Sequence, residues 1–118
     1  MFGLFKTRAR KTLELEARLS SPSGEPIYGE IEFDEYNDGS WRLEIELKHR
    51  ETPLHMNGPI DVRVDGVAVG AIAAGPGVTY FRRSQRDGPL GIEPQLGQRI
   101  EIVQGGSVIA AGEFEHDD

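Results

Sequence analysis

The chain is expected to fold as an all-β domain, a single antiparallel β-sandwich of about eight strands, with a small closed β-barrel as the alternative. Three observations carry that expectation. Apolar and polar side chains alternate from Leu13 to Val64. Asp-Gly and Gly-Gly pairs fall at hairpin spacing. Fifteen glycines and 7 prolines stand against two methionines, which is the composition of a chain with many turns and few helices. A side-chain period of two buries only one face of a strand, so strands patterned this way must pack sheet against sheet or curl until their inner faces meet.

The first strand is read from Leu13, Leu15, Ala17 and Leu19, with Thr12, Glu14, Glu16 and Arg18 turned the other way, and it stops at a Ser-Ser-Pro-Ser-Gly turn. Ile27, Gly29, Ile31 and Phe33 mark the second strand, and Trp41, Leu43, Ile45 and Leu47 the third. Asn37-Asp38-Gly39 between them reads as a hairpin loop with Gly39 in the left-handed position, which places Phe33 opposite Leu43 on the buried face. Pro53 and Pro59 bracket a connection, and Ile60, Val62 and Val64 form a fourth strand ending at Asp65-Gly66. Val67 to Ala73 is its hairpin partner, apolar on both faces, and Val78 to Arg82 a sixth strand. The segment from Arg83 to Gln98, rich in Gly and Pro, reads as irregular connection. Arg99 to Val103 and Val108 to Phe114 close the domain as a hairpin over Gln104-Gly105-Gly106-Ser107, and His116-Asp117-Asp118 is expected to fray. The domain is thus 12–118, preceded by a basic arm, 1–11.

From Gly29 to Phe114, the succession Trp41-Arg42-Leu43-Glu44-Ile45-Glu46-Leu47, then Ile60-Asp61-Val62-Arg63-Val64-Asp65-Gly66-Val67-Ala68-Val69-Gly70, then Ile109-Ala110-Ala111-Gly112-Glu113-Phe114 resembles uncharacterised bacterial β-sandwich modules. Such modules often occur in exported or surface proteins. The resemblance consists of strand and turn positions, so it implies a fold and carries over no catalytic or binding residue. This chain departs from that setting in having no export signal.

Composition limits the function. The net charge is −7, yet Lys6, Arg8, Arg10 and Lys11 place four of the 13 bases in the first eleven residues, leaving 9 bases against 20 acids in the remainder. A phosphate backbone is repelled by such a body, which argues against nucleic acid as a partner. Cysteine is absent, which excludes disulfides, thiolate catalysis and cysteine-ligated zinc. Met1 to Phe5 is too short for a signal-peptide core and no stretch reaches the length of a membrane span, so a cytoplasmic location is expected. Phe2, Leu4 and Phe5 followed by four bases could meet an anionic membrane surface through residues 1–11, each base contributing about 1 kcal/mol. An unordered chain start is the plainer reading.

No arrangement of active-site residues stands out. Ser40, Ser84 and Ser107 lie in turn contexts without a Gly-x-Ser-x-Gly elbow. Asp34 to Gly39 departs from a calcium loop, with Tyr36 where an oxygen ligand belongs and Ile45 in place of the closing glutamate. His49, Glu51 and His55 match no metal-ligand spacing, and neither metal nor cofactor is implied.

The candidate sites are surfaces. Glu30, Glu32, Asp34, Glu44 and Glu46 share the outward face of the second and third strands. The hairpin register sets Glu32 against Glu44 and Glu30 against Glu46, a repulsion that a cation or a basic partner would relieve. The alternative is a solvated face that keeps the protein soluble and discourages edge pairing. Ala68, Ile72, Ala74, Ile109 and Ala111 form a second, apolar set, covered either by the Arg83 to Gln98 connection or by a second subunit in a homodimer. Tyr80, Phe81, Arg82, Arg83 and Arg86 make a small basic and aromatic cluster suited to protein contact. The expected function is a non-catalytic binding or assembly module for a protein partner or for self-association. The alternatives are a peripheral membrane or envelope-associated accessory protein tethered by the arm, and a carbohydrate-binding or loop-built enzyme domain around Trp41, Tyr28 and Tyr36.

Overall fold

In the computed structural model, which describes residues 10–49, 60–72 and 79–117, the alternating segments become β1 (Lys11–Ser20), β2 (Ile27–Tyr36), β3 (Trp41–His49), β4 (Ile60–Val64), β5 (Val67–Ile72), β6 (Thr79–Ser84), β7 (Arg99–Gln104), β8 (Ser107–Glu113) and β9 (Glu115–His116). Eight of them hydrogen-bond in the order β5-β4-β7-β8-β1-β2-β3-β6, and β9 pairs with β1. The pairs are antiparallel, and the sheet nearly closes into a barrel. The all-β class holds. Of the two arrangements the sequence allows, the continuous sheet is nearer the barrel.

The alternation sets the interior. Leu15, Ala17 and Leu19 of β1, Ile31 and Phe33 of β2, Leu43, Ile45 and Leu47 of β3, and Ile60, Val62 and Val64 of β4 are all buried in one core with Ile100 and Ile102 of β7. Each fully buried Leu, Ile or Phe contributes about 1.5–3 kcal/mol by leaving water. The β2–β3 hairpin has the expected register: Phe33 pairs with Leu43, and Gly39 takes a φ of +87°, which a residue with a Cβ adopts at a cost.

Gly29 serves a different purpose. It lies between Leu19 and Leu47, and a Cβ there would stand 2.1 Å from the Glu46 carbonyl oxygen. Only a residue without a side chain lets the two backbones approach here.

The ends of the sheet, β5 and β6, meet without an observed backbone ladder. Side chains span the seam instead. The Phe81 ring of β6 fills the space over Gly70 of β5, where a Cβ would come within 2.7 Å of it. The Arg83 guanidinium donates to the carbonyls of Val69 on β5 and Pro89 beyond β6.

The segment after β6 is less irregular than its composition suggests. A single 3-10 turn, Gln85–Asp87, is capped by Ser84, whose hydroxyl accepts from the Arg86 amide while Asp87 accepts from the Ser84 amide. Leu90 is buried and Ile92 packs against the core, so this connection covers the Phe33–Trp41 end of the interior. Ala68 of β5 remains exposed, and Ile109 and Ala111 of β8 are half-buried.

Two bulges change which of those residues face inward. Val62 pairs with Gly70 but Arg63 with Ala68, leaving Val69 as an extra residue, and Val69 and Ile72 are both buried. A strict period of two puts Ile72 on the outer face; the bulge reverses the parity, and Ile72 belongs to the core. Likewise Ile102 pairs with Ala110 and Val103 with Val108, leaving Ile109 extra and half-buried against the core.

The C-terminus is paired rather than frayed as far as Asp117. Strand β9 continues β8 along β1 in one register, from Ser20↔Ala111 to Leu15↔His116. Between them Phe114 turns aside to bond with Gln98 and Gly97.

Candidate functional site

The outer face of β1, β2 and β3 carries the acidic cluster, and the ladders arrange it in rows. Glu14, Asp34 and Arg42 lie side by side and end at Ser84. The next row is Glu16, Glu32, Glu44 and Arg82, and the next Arg18, Glu30, Glu46 and Tyr80. The pairings Glu32↔Glu44 and Glu30↔Glu46 expected from the hairpin are present. Side chains directly opposite in such a ladder lie about 5 Å apart, close enough for like charges to destabilise each other.

Some of these carboxylates are neutralised. Asp34, only 3% exposed, accepts from Arg42 Nη2 at 3.1 Å and lies 3.5 Å from Lys11 Nζ. Glu44 lies 2.9 Å from Arg42 Nε and 3.8 Å from Arg82 Nε, and it accepts a 2.9 Å hydrogen bond from the Tyr80 hydroxyl. Burial and that bond push the Tyr80 phenol above its ordinary value. Glu46 lies 3.2 Å from Lys48 Nζ, which raises the lysine.

Other carboxylates are not. Among the described residues Glu16, Glu30 and Glu32 have no cation within salt-bridge distance. Desolvation, followed by the Asp117 and Glu30 carboxylates, holds Glu16 above the usual glutamate range. Desolvation with Glu30, Asp117, Asp34 and Glu44 does the same to Glu32. A shallow groove of about 450 Å³ runs past Glu16, Arg18, Tyr28, Glu30, Glu46 and Lys48. Beside it a dimple of about 80 Å³ is rimmed by Glu30, Glu32, Glu44, Glu46 and Tyr80.

All five acids singled out in the sequence therefore lie together, but four contributors were not read there. Glu16 enters from β1 and Arg82 and Tyr80 from β6. The alternation of β1 already turns Glu16 outward. What was missing is the register across the long Ser21 to Pro26 turn, which the turn residues do not specify. Asp117 arrives through β9, for which the sequence gives no strand signal.

The apolar set does not assemble into one face. Ile72 is in the core, Ala68 is exposed, Ile109 and Ala111 are half-buried, and Ala74 lies outside the described residues. Charged Arg63 and Glu101 stand between Ala68 and Ala111 in the outer row. The basic cluster is divided as well: Phe81 and Arg83 hold the seam, while Arg82 serves Glu44.

Trp41 is half-buried with its ring 6.2 Å from that of Phe33. It borders a cleft of about 470 Å³ with Leu90, Ile92 and Pro94, and a polar one of about 540 Å³ with Tyr36, Arg82 and Arg86. Of the histidine group, Glu51 and His55 lie outside the described residues, as do arm residues 1–9. Among the described residues no three His, Asp or Glu side chains are grouped to hold a metal ion. No described helix is long and apolar enough to cross a membrane. No protein-family model, no curated protein and no solved structure matches this chain.

Proposed function

We propose that the chain is a non-catalytic binding module whose acidic β1–β2–β3 face takes a protein partner presenting lysine or arginine side chains. The observation that carries this reading is the Glu16–Glu32 pair: each faces carboxylates across both of its ladders and has no cation within salt-bridge distance among the described residues, whereas Glu30 has Arg18 opposite it. A wall of three long paired strands holds these groups at fixed spacing, so little ordering cost falls on the protein side when a basic surface docks. Replacing carboxylate repulsion with attraction supplies free energy, and the acidic field speeds encounter with a cationic partner.

Calorimetric titration with a short lysine-rich peptide at low salt tests this reading. Saturable binding that weakens as salt is raised is expected, with a further loss of at least about tenfold, or 1.4 kcal/mol, in the Glu30→Gln, Glu32→Gln double variant. The substitutions relieve repulsion between neighbouring carboxylates, so lost affinity reads the site itself. Binding equal in variant and parent would overturn the assignment.

A further inference from the structure

Strand β1 is flanked by β2 along its whole length, but its other edge is covered unevenly. Near Ser20 it pairs with β8, and at Leu15 and Glu16 only with the two-residue β9. The Asp117 amide adds one bond to the Glu14 carbonyl. Beyond that point Lys11, Thr12 and Leu13 have no strand on this side among the described residues.

The cover is also badly matched in charge. Glu115 pairs with Glu16, and the same register brings Asp117 opposite Glu14. Two successive outward positions therefore oppose carboxylate to carboxylate, which weakens the pairing. Between them His116, itself exposed, stands opposite the inward Leu15. Asp117 further loads the acidic rows, being among the groups that hold Glu16 and Glu32 above their ordinary range. Short strands held by few backbone bonds are the parts of a fold that open most readily.

An incoming strand with the pattern basic, apolar, basic would replace both repulsive pairs with attractive ones, put an apolar side chain opposite Leu15, and extend the ladder toward Lys11. Main-chain bonds at a sheet edge supply affinity, and alternate side chains supply selectivity. We propose that the β1 edge is a strand-addition site, at which an extended segment of a partner protein with lysine or arginine at alternate positions displaces the Glu115–Asp117 strap. The strap is then an autoinhibitory cover that keeps an open edge from pairing indiscriminately. This rests on the reading that the acidic face takes a basic partner, and it specifies how that partner enters.

The experiment uses the full-length chain and a short peptide alternating lysine with valine, followed by amide chemical shifts and hydrogen exchange. At saturation the His116 and Asp117 amides are expected to move to free-chain positions while those of β1 stay protected. A chain ending after Phe114 should bind about tenfold more tightly. The full-length Glu115→Lys, Asp117→Lys variant, whose strap now attracts Glu14 and Glu16, should bind at least about tenfold more weakly. Peptide binding with the strap amides unmoved would overturn strand addition and leave the acidic-face reading standing. Absence of binding to both the full-length and the shortened chain would overturn both. Unchanged affinity in the double-lysine variant would also overturn strand addition, whatever the shortened chain does.

Discussion

The two ends of the acidic face contain the same residue types on the same three strands, and they differ in what the ladder sets beside them. Around Asp34, cations arrive from β1 and β3, so a nearly buried carboxylate is paired twice. Around Glu32, two residues away on β2, the neighbours across both ladders are glutamates. One end has the partners that buried charge needs, whereas the other retains a repulsion that the folded wall holds in place. Counting acids on a strand does not separate them. Register does, because it decides which side chain from another strand stands at about 5 Å.

Removing the wall that both ends share should give the largest effect. Gly29→Ala forces a Cβ against the Glu46 carbonyl, and urea denaturation should show a loss of about 3 kcal/mol. Wild-type stability in that variant would mean that β2 and β3 do not approach as described. Next comes the paired end: Asp34→Ala removes the carboxylate that Lys11 and Arg42 share, leaving Arg42 only Glu44, and should cost about 2 kcal/mol in the same measurement. Glu32→Lys at the other end should act in the opposite direction and stabilise by about 1 kcal/mol, since it turns two repulsive cross-strand pairs into attractive ones. If Asp34→Ala and Glu32→Lys shifted stability in the same direction, the distinction between the two ends would be lost.

The smallest effect is in pH. Glu16 and Glu32 have folded values above their ordinary one, so between the two values the folded protein binds more protons than the unfolded chain. Stability contributed by this pair is therefore lost as pH rises through that interval, and the penalty is complete above it. Mild acidification from neutral toward the ordinary glutamate value near 4.3 should raise the unfolding midpoint slightly. The Glu16→Gln, Glu32→Gln double variant should flatten that slope, and a slope as steep as the parent's would show that other groups cause it.

Much of this surface could be read from the residues. The Asn37-Asp38-Gly39 loop fixed the β2–β3 register, and with it the Glu32–Glu44 and Glu30–Glu46 pairs, because a short turn leaves one way to align its strands. The contribution of β1 was not legible, because Ser21 to Pro26 is long enough to permit several registers. Val67 to Ile72 misled in another way. Its residues are apolar on both sides, so nothing in the pattern marks the bulge at Val69 that turns Ile72 inward.

By itself the sequence determined the strands β1 to β8, their turns and the inward face of β1 through β4, since a period of two and a turn residue act over a few neighbours. Only the tertiary structure decided that the sheet curls until Phe81 meets Gly70, that Asp34 has two cations while Glu32 has none among the described residues, and that the two-residue β9 pairs with β1. These outcomes depend on pairings between distant segments. Each such pairing is selected by the summed packing of the whole core, and that sum is not written in any one stretch of chain.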